Sequence, residues 1–191
     1  MRHCTFLRHV GSRSSSMKRK AALGAAALVC GATVCAAAAD ETVTTRLVGY
    51  QETPQTISSA ASGEFKATIH DDGTAIDYEV TYRNLSSPPL QSHIHFGRPG
   101  LNGGVVLFLC TNLTPPVGVP TPPACPAPPA TVTGTLTAAN VIPLPAQGID
   151  AGATGFAEML KAIRATAAYA NVHTTLHPGG EIRGRLGPGD D

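Results

Sequence analysis

The sequence predicts an all-β fold, an antiparallel sandwich or barrel carrying one short helix near residues 155–165. Three observations lead there. Short segments rich in Val, Thr, Ile and Tyr alternate apolar with polar residues. Turn signals built from Gly, Pro, Asp and Ser separate those segments. A helical period appears in one place, where Phe156, Leu160 and Ile163 recur at i, i+4 and i+7. About 150 residues follow residue 39, the size of one ordinary domain.

In chain order, residues 42–50 are rich in Thr and Val and read as an opening strand. Phe65, Ala67 and Ile69 alternate with polar neighbours, and so do Ile76, Tyr78, Val80 and Tyr82. Between the two runs lies His70-Asp71-Asp72-Gly73, so the pair is a hairpin with Asp-Gly at its tip. Ser86-Ser87-Pro88-Pro89 interrupts the pattern, and residues 91–96 resume it as a strand. Val105-Val106-Leu107-Phe108-Leu109 is continuously apolar, which suits a buried strand. Residues 111–130 hold eight prolines and cannot form a central strand. Residues 131–137 are β-branched and start another. After the helix come strands at 169–174 and 181–186, with the turn His177-Pro178-Gly179-Gly180 between them.

The N-terminus has the order of a secretory signal. Met17-Lys18-Arg19-Lys20 is basic, residues 21–34 are apolar and Ala-rich, and Cys35-Ala36-Ala37-Ala38-Ala39 supplies small residues for cleavage before Asp40. The apolar part is shorter than the ~20 residues of a spanning helix. Residues 1–16 read as an upstream extension with Met17 the start. Residues 1–39 are thus an extension and signal, and residues 40–191 the exported domain, periplasmic or secreted. Within 40–191, 8 Lys and Arg face 13 Asp and Glu, a net charge of −5 that argues against nucleic acid. No basic amphipathic stretch suggests a membrane surface. Only Cys110 and Cys125 remain beyond the signal, and in an exported chain they are expected to form a disulfide that closes the Pro-rich loop.

Four of the seven histidines fall in two clusters. The first is His93-Ile94-His95-Phe96-Gly97-Arg98-Pro99-Gly100-Leu101-Asn102-Gly103. The second is Asn171-Val172-His173-Thr174-Thr175-Leu176-His177-Pro178-Gly179-Gly180-Glu181-Ile182-Arg183-Gly184. Residues i and i+2 of a strand share a face, so His93 and His95 stand side by side. Imidazole suits copper and zinc. A third ligand from another strand would complete a site, with His173 the best candidate and His177 or a water a fourth. Such binding is expected to fail as pH falls through ~6.5, where free imidazole protonates. The competing reading is structural: the histidines bond backbone carbonyls of neighbouring loops, and Glu181 fixes one tautomer. Arg183 either pairs with an acid or caps the loop at 97–100. Asn171, Gly97, Gly100 and Gly180 are read as structural, the glycines as backbone requirements. His70 sits in the hairpin turn and reads as a solvated surface residue. Nucleophilic catalysis finds no support, since Ser92 and His93 point to opposite faces.

These clusters, together with Phe65-x-Ala67 and Asp72-Gly73-Thr74, resemble the CHRD domain first recognised in chordin, in matching order across residues 63–85, 93–109 and 171–186. The resemblance implies an immunoglobulin-like or superoxide-dismutase-like barrel, and says little about activity. The Pro-rich insertion looks longer than such domains carry. Two functions follow. One is a non-catalytic binding module at the cell envelope, taking a protein, a matrix component or a metal. The other is a small copper-dependent redox protein using the same histidines. A full dismutase is disfavoured, because no bridged second metal site and no Lys- and Arg-rich loop are present.

Overall fold

The structure of the protein is a computed structural model, and it describes residues 39–188. The extension and secretory signal expected upstream lie outside the described residues, Ala39 excepted. Eight strands form one antiparallel sheet: β1 (Glu41–Val48), β2 (Ser62–Ile69), β3 (Ala75–Arg83), β4 (Pro89–Phe96), β5 (Gly104–Thr111), β6 (Ala130–Thr137), β7 (Ala168–Thr174) and β8 (Ile182–Leu186). One helix, α1 (Gly152–Arg164), precedes β7. The strand order β5-β4-β7-β8-β1-β2-β3-β6 rolls the sheet into a nearly closed barrel. This is the predicted all-β class with its single short helix.

The hairpin of β2 and β3 pairs without a break from Ser62↔Arg83 to Ile69↔Ile76. Its turn closes where Gly73 N–H donates to His70 O at 2.9 Å and Asp72 Oδ1 accepts from Thr74 N–H at 2.9 Å. The apolar members of both alternations, Phe65, Ala67, Ile69, Ile76, Tyr78, Val80 and Tyr82, are buried in one core. Two tyrosines then reach across the gap between the sheet's edges. Tyr78 Oη donates to Leu109 O at 2.6 Å, and Tyr82 Oη donates to Pro126 O at 2.7 Å. Helix α1 starts three residues before the apolar period predicts and buries Phe156, Met159, Leu160 and Ile163. Each such side chain contributes about 1.5–3 kcal/mol by leaving water.

The Pro-rich segment is tethered rather than structureless. Cys110 and Cys125 are disulfide-bonded, with Cα atoms 5.1 Å apart. The Asn112 side chain accepts from Cys125 N–H at 3.0 Å and donates to Cys125 O at 2.8 Å. Pro116, Val119, Pro122, Cys125 and Pro128 are each more covered than the two residues before them. Every third residue of the segment thus rests on the domain, across a turn at Gly118 with φ +86°.

The first strand ends two residues earlier than its composition suggests. Gly49–Gln51 winds into a 3-10 turn, because a Cβ on Gly49 would sit 2.2 Å from Ile57 O. Only glycine allows the two segments to touch there. The turn sends Glu52 inward, where it is buried.

Candidate metal centre

Strand β4 has two faces with different tasks. Ile94 turns into the apolar core, along with Ala170 and Val172 of β7 and Ile182 of β8. His93 and His95 take the other face, as the period of two requires. Cross-strand partners share a face. His93 pairs with Phe108 on β5 and with Asn171 on β7, and Asn171 pairs with Arg183 on β8. One row thus runs Phe108, His93, Asn171, Arg183. Beside it, His95 pairs with Tyr169, and on the other side Gln91 pairs with His173. Three imidazoles therefore stand on one face of two adjacent strands.

This face would be open were it not roofed by loops. Residues 49–57, 97–103 and 175–181 supply the roof, each tied down by a residue of the face. Arg183 holds two of them. It donates from Nη1 to Thr53 Oγ1 and Asn102 Oδ1, and from Nη2 to Leu101 O at 2.7 Å. Its guanidinium lies 3.4 Å from the centre of the Tyr169 ring, and Tyr169 in turn stacks on His95 with planes 7° apart. Arg183 thus caps the loop after His95, one of the two roles open to it from sequence. Under this cover His93 is 1%, His95 7% and His173 6% exposed.

The imidazoles converge. One donor atom from each of His93, His95 and His173 lies within 4.8 Å of the others. The Nδ1 of His93 is 3.3 Å from Nε2 of His95. Two tautomers are set by backbone oxygens: His95 Nδ1–H donates to Gly103 O at 3.0 Å, and His173 Nδ1–H donates to Pro178 O at 3.0 Å. Each of these rings is left with its Nε2 lone pair toward the middle. Metal-ligating histidines are usually held in this way, by a protein partner on the outer nitrogen. His93 then donates Nδ1–H to His95, and its Nε2 is a buried nitrogen without a partner. A buried polar atom left so costs ~1–3 kcal/mol.

Burial also keeps the rings neutral. It is the main cause pushing His93 down to about 2, with the charges of His173 and His95 adding to it. Burial likewise lowers His95 to about 4 and lowers His173. Neutral imidazole is the form that binds metal. Asn171, 2% exposed, lies at the centre of the group, with Oδ1 2.9 Å from His173 Nε2. Its side chain also interacts with His93, His95 and Glu52. Glu52 is pushed up to about 7, chiefly by burial, with the Arg183 charge working against it. Its Oε1 has no hydrogen-bond partner.

The other residues singled out in the sequence fall around this centre. His177 occupies the turn after β7 and stands outside the histidine group, its carbonyl accepting from Gly180 N–H at 3.0 Å. Glu181 holds no histidine. Its buried carboxylate accepts from Ser86 N–H and Thr174 Oγ1, each at 2.9 Å, and ties the loop at Ser86 to the end of β7. Gly97 and Gly100 lie in the covering loop. Gly180 has φ +127°, and a Cβ there would meet the Glu52 carboxylate at 2.5 Å. His70 is half-exposed and pairs with Asp77 at 2.9 Å, away from the centre. Sequence reasoning missed Glu52, Tyr169 and the clamps Thr53 and Asn102. Their roles come from contacts between distant segments, and no local pattern announces them.

Comparison with protein families decides the relationship: the CHRD domain model matches residues 43–186. The chain belongs to the CHRD domain family. Neither the curated proteins nor the solved structures yielded a match. In this CHRD domain the two histidine clusters meet on one roofed face of the barrel.

Proposed function

We propose that this CHRD domain is an exported, non-catalytic binding module that holds one divalent transition ion, Cu(II) or Zn(II), at His93, His95 and His173. The observation that carries the reading is the orientation of the rings. Two of the three present inner lone pairs because backbone carbonyls take their outer protons. Imidazole ligands suit both ions, and copper heads the general affinity order. The roof favours holding an ion over turning over a substrate, since none of the three rings is more than 7% exposed. That weighs against the copper redox alternative. Export is supported by the disulfide and the signal-like N-terminus. No helix among the described residues is long and apolar enough to cross a membrane. A protein or matrix component of the envelope would be the partner, and the metal a structural or sensory part of that recognition.

Titration of metal-free protein with Cu(II), followed by calorimetry, tests the site. Wild type is expected to take one equivalent, and His93→Ala and His173→Ala none, while His70→Ala binds as wild type. Indistinguishable isotherms for wild type and His93→Ala would leave the histidines as structural anchors.

A further inference from the structure

We infer that Asn171 is the fourth donor of the proposed centre, its amide oxygen turned to the ion by Glu52. The inference rests on the trihistidine reading and extends it to an oxygen ligand. Asn171 is the direct cross-strand partner of His93, and His173 lies two residues along the same strand face. The strand pairing therefore fixes its Cβ on the face of the three histidines.

The amide has two ends with different neighbours. Oδ1 faces His173 Nε2 at 2.9 Å and lies toward His93 and His95. The side chain also interacts with the buried carboxyl of Glu52, which in its ionised form accepts only and so draws the NH2 end. The structure has the amide with Oδ1 toward His173, and an ionised Glu52 favours that orientation, since turning the amide over would set its oxygen against a carboxylate. Glu52 is itself held against Gly180, where no other side chain fits.

The result is a conflict in the metal-free protein. His173 spends its one proton on Pro178 O, so its Nε2 lone pair confronts an amide oxygen at 2.9 Å. In that arrangement two acceptors meet, and a cation held by both would relieve the repulsion. Donor atoms at ~2.0–2.1 Å from one ion are ~2.9 Å apart at a right angle and ~3.4 Å apart at a tetrahedral angle. Two observed separations, 2.9 Å for this pair and 3.3 Å for His93 Nδ1 to His95 Nε2, lie at those values; binding would move the His93 proton to Nε2 and draw the three imidazole donor atoms, now within 4.8 Å of one another, closer together. The set is then three imidazole nitrogens and one neutral oxygen, with Glu52 as a positioning carboxylate outside it.

The test uses the whole exported protein with Zn(II) and Co(II) as probes. Asn171→Leu keeps the volume and removes the donor, and Zn(II) should bind it at least 10-fold more weakly than wild type. Asn171→Asp restores an oxygen, and should bind within 3-fold of wild type or tighter, with a shifted Co(II) visible absorption spectrum because the ligand itself has changed. Glu52→Gln should weaken Zn(II) by about 10-fold, the lower end expected when an outer partner of a ligand is lost, without lowering the melting temperature of the metal-free protein. Equal affinity for wild type and Asn171→Leu would overturn the inference. So would a Co(II) spectrum unmoved by Asn171→Asp, a measurement that stands even if the Leu variant does not fold. Zn(II) binding that survives in wild type but vanishes in His93→Ala would leave the trihistidine reading intact whatever Asn171 does. No binding to wild type would overturn both.

Discussion

At the scale of single residues, the unusual feature is a set of neutral, buried imidazoles beside a buried carboxyl. The four groups act on stability in opposite directions. His93 and His95 titrate near 2 and 4 in the folded chain but near 6.5 when unfolded. Below pH 6.5 the unfolded state therefore binds more protons, and stability falls as pH falls. Each fully suppressed histidine adds ~1.4 kcal/mol per pH unit to that slope. Glu52 works the other way, since its folded value of about 7 lies above the ordinary carboxyl value. Its contribution is complete below ~4.3 and is lost as pH rises toward 7. Urea midpoints of metal-free protein between pH 4 and 7.5 should fall toward acid, and His93→Phe, which can pack on Phe108, should flatten the slope. The same burial changes the expected pH of metal binding. A free imidazole loses its ligand form near 6.5, but these rings remain neutral well below that. Zn(II) affinity should therefore hold to pH 6 and fail nearer 4, which dialysis at fixed metal concentration would show.

At the scale of elements, the covering loop and the Pro-rich loop are each held by one device. The loop over His95 is pinned by Arg183, whose planar guanidinium both stacks on Tyr169 and donates to Thr53, Leu101 and Asn102. Lysine cannot reproduce a stacked fork. Arg183→Lys should cost about 1.5–3 kcal/mol, the range for hydrogen bonds to a charged group, in thermal unfolding. It should also admit metal faster, as read by stopped-flow chelator competition. The Pro-rich loop is closed by Cys110 and Cys125 over a sequence separation of 15. Thiol titration of the denatured, unreduced domain should find neither cysteine free. Replacing both by Ser should lower stability by ~3 kcal/mol on the chain-entropy estimate.

How much of this could be seen in the sequence differs by element. The β2–β3 hairpin was legible because alternation and Asp-Gly are local signals, and the two runs pair from Ser62↔Arg83 to Ile69↔Ile76 around that tip. Helix α1 was legible from three apolar residues, but its first turn was not, because Gly152 to Thr154 carry no apolar marker. The shared face of His93 and His95 follows from period two alone. The adjacency of β4 and β7 does not, since 71 residues lie between them in the chain. That adjacency comes from the order in which the strands pair. Glu52 was invisible for the same reason. It reaches the centre only because Gly49 lets the chain turn inward against the 57 segment.

For the whole molecule, the central claim is that this CHRD barrel brings three imidazoles onto one ion beneath a roof of loops. Strands from two parts of the chain supply the ligands, so the centre exists only in the folded domain. Bound metal should then raise the melting temperature of wild type and leave that of His173→Ala unchanged, since a ligand stabilises only the state that binds it. X-ray absorption of the Zn(II)-loaded protein tests the claim most directly. The account predicts the scattering signature of three imidazoles with Zn–N at ~2.0–2.1 Å, in a four-coordinate shell. A zinc environment with fewer than three imidazoles would contradict it.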